Sequence, residues 1–128
     1  MKSYTDLDQS KKLAKILPPE SADMGWNVFV DGTVRILPID DWDLVKDGSG
    51  NVKFYPAWSL AALLDVLPSS MKDSIGMVYS LNMDKEYIEY SNPNISFPYS
   101  AYIHTCGNDN LVDACYEMII KLQELKML

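Results

Sequence analysis

The first candidate for chemistry in the sequence is the pair His104 and Cys106, since His104 is the only histidine of the chain. Because they are two residues apart, both would lie on the same face of a strand. A cysteine nucleophile needs a base within hydrogen-bond reach and a third group that orients the base, and Asp109 and Asp113 are close in sequence. The run Cys106-Gly107-Asn108 is also typical of a strand that ends before a capped helix. We favour this second interpretation and keep His104 and Cys106 as a candidate polar cluster without a catalytic role.

The spacing of potential ligands does not match the common metal sites. A zinc site takes four nitrogen or sulfur ligands, or three and a water, and one histidine with two cysteines nine residues apart is no such set. The acidic run between residues 40 and 47 is similar in composition to a calcium loop. With Gly48 at its glycine position, however, an EF-hand loop would have Val45 and Phe54 where oxygen ligands are required. We favour a solvated approach to a hairpin over a calcium loop of another type. Since the sequence has no phosphate-binding or hydrolase motif, it predicts no enzyme, no metal and no cofactor.

Charge limits the classes of partner. The chain carries 18 acidic and 11 basic side chains, which gives a formal net charge of −7 at pH 7. A field of this sign opposes binding to nucleic acids or anionic membranes through phosphate contacts. The first residues form no secretory signal, and the longest apolar run, residues 54–64, is too short to cross a bilayer. We therefore expect a soluble cytoplasmic protein without a nucleic-acid or membrane partner.

Apolar residues at helical spacing predict helices at the N-terminus, in the middle and at the C-terminus, over residues 6–17, 57–67 and 111–127. Thr5 is the expected N-cap of the first helix, and Asn110 that of the last. The middle helix is apolar on nearly every side, which indicates burial or a subunit interface. Trp58 at its start is the candidate anchor of an interface or of the deep core, and Leu60 and Leu64 are further candidate interaction residues.

The remaining regular segments indicate antiparallel strands. Asp31-Gly32 between two β-branched runs predicts a hairpin, over residues 26–30 and 33–37. The same pattern of Trp, Asp-Gly and Pro recurs and predicts a second hairpin, over residues 42–49 and 52–56. This echo is either a local duplication or a convergence of turn chemistry, and we favour convergence. Alternating residues predict a three-strand meander, over residues 75–83, 86–90 and 99–105. The sequence therefore predicts one α+β domain over residues 1–128, with helices on one face of an antiparallel sheet.

Three segments carry a resemblance to a known family: residues 17–24 (LPPESADM), 56–64 (PAWSLAALL) and 113–122 (DACYEMIIKL). In this order they resemble a family of small uncharacterised proteins of gut-bacterial phages and mobile elements. In that family the last helix opens with Asn-Pro-Val-Asp-Ala, whereas this chain has Leu111 in place of the proline, which alters helix initiation and no chemistry. The resemblance implies a cytoplasmic, element-borne protein and supplies no activity.

Two functions follow from these features. We expect a non-enzymatic interaction or accessory protein that binds a protein partner or itself, as a homodimer, through the apolar middle helix. The alternative is an acidic inhibitor or antitoxin-like module that neutralises a basic partner, which requires carboxylates along one face. Residues 76–122, with three strands and then a helix, are loosely similar to the β-β-β-α half of HicB-type antitoxins.

Overall fold

The computed structural model describes residues 2–38, 52–72, 76–83, 87–92, 102–107 and 110–128. Within these ranges it has an α+β fold with helices at the N-terminus, in the middle and at the C-terminus, as predicted. The helices are α1 (Leu7–Leu13), α2 (Leu60–Val66) and α3 (Leu111–Glu124). The strands are β1 (Met24–Phe29), β2 (Val34–Pro38), β3 (Val52–Ala57), β4 (Ser70–Lys72), β5 (Val78–Met83), β6 (Tyr87–Ser91) and β7 (Tyr102–Gly107).

Internal contacts divide the chain into two compact units. The N-terminal unit is Ser3–Ala62, and the C-terminal unit is Leu63–Leu128 together with Met1–Lys2. The boundary lies inside α2, the most apolar of the described helices.

In the N-terminal unit, β1 is the central strand of an antiparallel sheet with the order β2-β1-β3. The hairpin predicted at Asp31-Gly32 is confirmed, since β1 and β2 pair antiparallel on either side of it. In its turn Gly32 has a φ of 90°, which residues with a Cβ rarely adopt. The Thr33 N–H donates to Asp31 Oδ1 at 2.8 Å, and this bond lowers the pKa of the Asp31 carboxyl. The turn therefore depends on the two residues that predicted it.

The other strand beside β1 is β3, which belongs to the predicted second hairpin. The first half of that hairpin, residues 42–49, lies outside the described residues. In the register of the sheet, Ile36 is opposite Trp26, whereas its counterpart in the echo, Phe54, is opposite Asn27. Because successive residues of a strand point to opposite faces, this offset of one residue places matching residues on opposite faces of the sheet.

Asn27 is the fully buried polar residue at the centre of this sheet. It lies opposite Arg35 on one side and Phe54 on the other. Neither its amide nitrogen nor its amide oxygen has a hydrogen-bond partner. An unsatisfied buried amide of this kind costs about 1–3 kcal/mol, so this position is not optimised for stability alone.

The N-terminal helix starts with a cap that the sequence analysis assigned wrongly. Asp6, not Thr5, is the N-cap: the Gln9 N–H donates to Asp6 Oδ1 at 2.8 Å, and the Asp6 N–H donates to Gln9 Oε1 at 3.1 Å. This reciprocal capping box leaves the Thr5 hydroxyl for the core. The helix ends at Leu13, earlier than predicted, because the next hydrogen bonds tighten to a spacing of three residues, as from Ile16 N–H to the Leu13 carbonyl at 2.9 Å.

In the C-terminal unit, the strand order is β4-β5-β6-β7, with all neighbours antiparallel. The short strand β4 is an addition to the predicted meander. Helix α3 packs against β6 and β7, and it buries Val112, Ala114, Cys115, Met118, Ile119 and Leu122. The predicted cap is confirmed, since the Val112 N–H donates to Asn110 Oδ1 at 2.8 Å.

Helix α3 ends in a Schellman motif that contains a left-handed lysine. Lys126 has a φ of 57°, while its N–H donates to the Gln123 carbonyl at 3.1 Å and the Met127 N–H donates to the Leu122 carbonyl at 2.9 Å. A residue with a Cβ pays about 1 kcal/mol or more in this conformation, whereas glycine does not.

We expect Lys126→Gly to raise the free energy of unfolding by about 0.5–1 kcal/mol, because it relieves the left-handed backbone. Urea unfolding followed by circular dichroism measures the change. The matched control is Glu117→Gly at an exposed position inside α3, which we expect to lower the same quantity by about 1 kcal/mol. A loss of stability in Lys126→Gly would contradict this account of the helix end.

Candidate interaction site

Trp58, the predicted anchor, lies between the end of β3 and the start of α2. Its side chain is 0% exposed, and its Nε1 donates to Ser21 Oγ at 2.9 Å. Its backbone N–H donates to Thr5 Oγ1 at 3.1 Å, and its carbonyl accepts from the Thr5 N–H at 2.9 Å. This burial places Trp58 in the core, where a partner cannot reach the indole of the folded chain.

Thr5 joins several parts of the N-terminal unit through its hydroxyl and its backbone. Thr5 is fully buried, and its Oγ1 lies 2.8 Å from Ser10 Oγ in α1. Its carbonyl accepts from Trp26 Nε1 on β1 at 2.9 Å, and the ring of Tyr4 meets the Trp26 ring edge to face at 5.8 Å. The segment before α1 is therefore tied to β1 and to the junction between β3 and α2.

Helix α2 begins at Leu60, later than predicted. Ala57, the predicted first residue of the helix, is instead the last residue of β3. Ser59 Oγ accepts from the Ala62 N–H at 3.2 Å and donates to Asp23 Oδ2, while Asp23 Oδ1 accepts from the Ser59 N–H at 2.8 Å. Asp23 thus holds the residue that caps the helix. The Asp23 carboxylate and the Ser59 hydroxyl are therefore both engaged in capping α2.

The candidate residues Leu60 and Leu64 lie on the outward side of α2. Both are half-buried, and Ala61 between them is exposed, whereas Ala62 and Leu63 are buried. We call Leu60, Ala61 and Leu64 the α2 stripe. The spacing of four residues between its leucines places them on neighbouring turns of one helix face. The helix that the sequence predicted as apolar on nearly every side therefore has one buried side and one side that reaches the surface, which carries the α2 stripe and the exposed Asp65.

The residues of the candidate polar cluster, His104 and Cys106, both belong to β7. Their backbone partners in β6 are Tyr90 and Ile88, two residues whose side chains are fully buried. The carboxylate of Asp113 accepts a hydrogen bond from Lys2 Nζ at 2.6 Å. This ion pair already engages one of the two groups considered as the orienting residue, and the other, Asp109, lies outside the described residues.

Tyr90 is a buried titratable group of the C-terminal unit. Its hydroxyl donates to the Pro68 carbonyl at 2.6 Å. Burial, with a smaller contribution from the nearby Cys115 thiol, raises the pKa of the Tyr90 hydroxyl well above its usual value of 10. A general acid or base works best with a pKa near the operating pH, so this shift moves Tyr90 away from catalysis at neutral pH.

The described residues are nearly balanced in charge. Ten are acidic and nine are Lys or Arg, so most of the net charge of −7 belongs to residues outside the described ranges. Several of the ten have local roles, such as the cap of Asp6, the turn of Asp31 and the helix cap that Asp23 holds. These carboxylates are accounted for by the local structure that they support.

No three His, Cys, Asp or Glu side chains among the described residues are close enough together to hold a metal ion. In the same part of the chain, no helix has the length and hydropathy that crossing a bilayer requires. Comparison with family models, with curated proteins and with solved structures finds no match to this chain.

Thr5→Val tests whether the buried hydroxyl supports the junction around Trp58. Valine keeps the shape of threonine but leaves the Trp58 N–H and the Ser10 hydroxyl without this partner, so we expect a loss of about 1–3 kcal/mol in the free energy of unfolding. Urea denaturation measures it. The control Thr5→Ser keeps the hydroxyl and removes one methyl group, which costs about 1 kcal/mol. If Thr5→Val is no more destabilising than Thr5→Ser, the hydroxyl does not have this role.

Tyr90 should make the protein sensitive to alkaline pH. Because its pKa is raised in the folded state, its contribution is complete below the unfolded pKa of about 10 and falls as the pH rises further, by up to about 1.4 kcal/mol per pH unit. Urea unfolding at a series of pH values measures the slope. We expect Tyr90→Phe to be less stable at neutral pH, because it loses the bond to Pro68, but to decline less steeply above about pH 10. Equal slopes in both proteins would exclude this role for Tyr90.

Proposed function

We propose that this chain is a non-enzymatic interaction protein that forms a homodimer through the α2 stripe. The observation that carries the proposal is the outward side of α2, where Leu60, Ala61 and Leu64 are apolar and partly or fully exposed. The polar groups next to it, Ser59 and Asp23, are engaged in the cap of the helix. The surface that α2 offers is therefore mainly apolar, with the exposed carboxylate of Asp65 one turn after Ala61, and burying its apolar part is favourable.

The stripe has a shape that suits a second copy. Two leucines one turn apart form a ridge, and the small side chain of Ala61 beside them lets another helix approach closely. In a two-fold dimer the same surface serves both partners, so one self-complementary stripe is sufficient. The resemblance to element-borne proteins supports an accessory role in the cytoplasm, and the net charge of −7 supports a partner other than nucleic acid.

The acidic-inhibitor alternative receives less support. It requires an excess of carboxylates on one face, and the described residues carry ten acidic against nine basic side chains. The acidic run between residues 40 and 47 lies outside the described residues.

Size-exclusion chromatography with light scattering tests the dimer. We expect the wild-type chain to be dimeric at micromolar concentration and Ala61→Glu to weaken the dimer at least about tenfold, because a carboxylate would be buried against its own copy. Ala61 is exposed and glutamate is a good helix former, so circular dichroism should show a folded variant.

The matched control is Gln123→Glu, which adds the same charge at an exposed position of α3. We expect it to leave the dimer unchanged. A wild-type monomer at all concentrations, or equal effects of both variants, would overturn the proposal.

A further inference from the structure

The hairpin of β1 and β2 has an apolar face that extends beyond the core of the N-terminal unit. In the register of the two strands, Trp26 is opposite Ile36 and Val28 is opposite Val34, so these four share one face. Trp26 is half-buried beside Tyr4, but towards the turn the same face opens to solvent.

The open end of this face consists of three valines. Val28 is half-buried, Val34 is 41% exposed, and Val30, at the turn, is 79% exposed. We call Val28, Val30 and Val34 the valine patch. Single exposed valines are ordinary, but here Val28 and Val34 form a cross-strand pair and Val30 follows in the turn, so apolar side chains are concentrated at this end of the hairpin.

Two lysines lie on the same face of the sheet as the valine patch, towards β3, one of them directly beside Val28. Lys53 is exposed and lies opposite Val28 in the register of β1 and β3, so it shares the face of the patch. Lys11 of α1 has its Nζ 5.0 Å from the ring centroid of Tyr55, two residues further along β3. The other cation of the hairpin, Arg35, lies over the Phe29 ring on the opposite face. The surface thus combines apolar side chains with positive charge towards β3, while the Asp31 carboxylate at the turn is engaged by the Thr33 N–H.

We propose that the valine patch, with Lys53 and Lys11 at its edge, binds an acidic segment of a partner protein that carries aliphatic side chains beside its carboxylates. Aliphatic side chains would cover the valines, and carboxylates would pair with the two ammonium groups. Neither half of the surface selects this partner alone: a purely acidic chain leaves the valines in water, and a purely apolar one leaves the lysines unpaired. This surface is separate from the α2 stripe and does not require the dimer.

Fluorescence anisotropy with the full chain tests the proposal. The probe is a labelled peptide in which pairs of glutamates alternate with pairs of leucines, so that each side of the extended peptide carries both types. We expect saturable binding, and we expect Val30→Asp and Lys53→Glu each to weaken it by about tenfold or more. The matched controls are Val78→Asp and Lys72→Glu, an exposed valine and an exposed lysine that lie opposite each other on β5 and β4 of the C-terminal unit. They should bind like the wild type.

Several results would overturn the proposal. One is the absence of saturable binding, and another is equal loss in the control variants. Equal binding of polyglutamate would indicate a purely ionic contact, and equal displacement by polyuridine or by phosphatidylglycerol vesicles would indicate a general anion surface. If Val30→Asp instead dissociates a dimer in light scattering and leaves peptide binding unchanged, the occupant is a second copy. Failure of the α2 dimer with retained peptide binding would reject the proposed function alone.

Discussion

The N-terminal unit depends on the hydrogen bonds that the buried Thr5 makes. Its hydroxyl faces Ser10 of α1 and accepts from the Trp58 backbone, while its own backbone bonds to Trp58 and to the indole of Trp26. Most buried polar groups in proteins are hydrogen-bonded, and each of these groups of Thr5 has its partner in another segment. The residue next to Trp58 then caps α2, so the position of the stripe on that helix follows from the same junction.

Sequence reasoning succeeded where the signal is local. Gly32 permits the backbone of the predicted turn, and Asn110 caps α3 as expected, because both depend on a few consecutive residues. It failed at Thr5, whose hydroxyl is a suitable cap by type but is taken by Trp58, more than fifty residues away. The pairing of β3 with β1 is likewise a tertiary contact that no local pattern encodes.

The candidate site shows the same division. The sequence identified α2 as unusually apolar, and hydropathy alone cannot tell which side of such a helix is buried. The answer comes from the cap at Ser59 and from the burial of Ala62 and Leu63, which leave Leu60 and Leu64 on the outward side. The valine patch had a detectable signal, since valines at alternate positions flank the turn, but β-rich hairpins usually bury such residues.

The offset of one residue between β2 and β3 has a consequence for how this chain can vary. The two segments share a sequence pattern. Residues that match in the pattern, such as Ile36 and Phe54, nevertheless lie on opposite faces of the sheet. Exchanging them, or averaging the two segments into a consensus, would place each side chain on the face suited to its counterpart. Similar sequence therefore does not mean equivalent position in this sheet. Matching residues of the two strands are under different packing constraints, whether or not the strands share an ancestor.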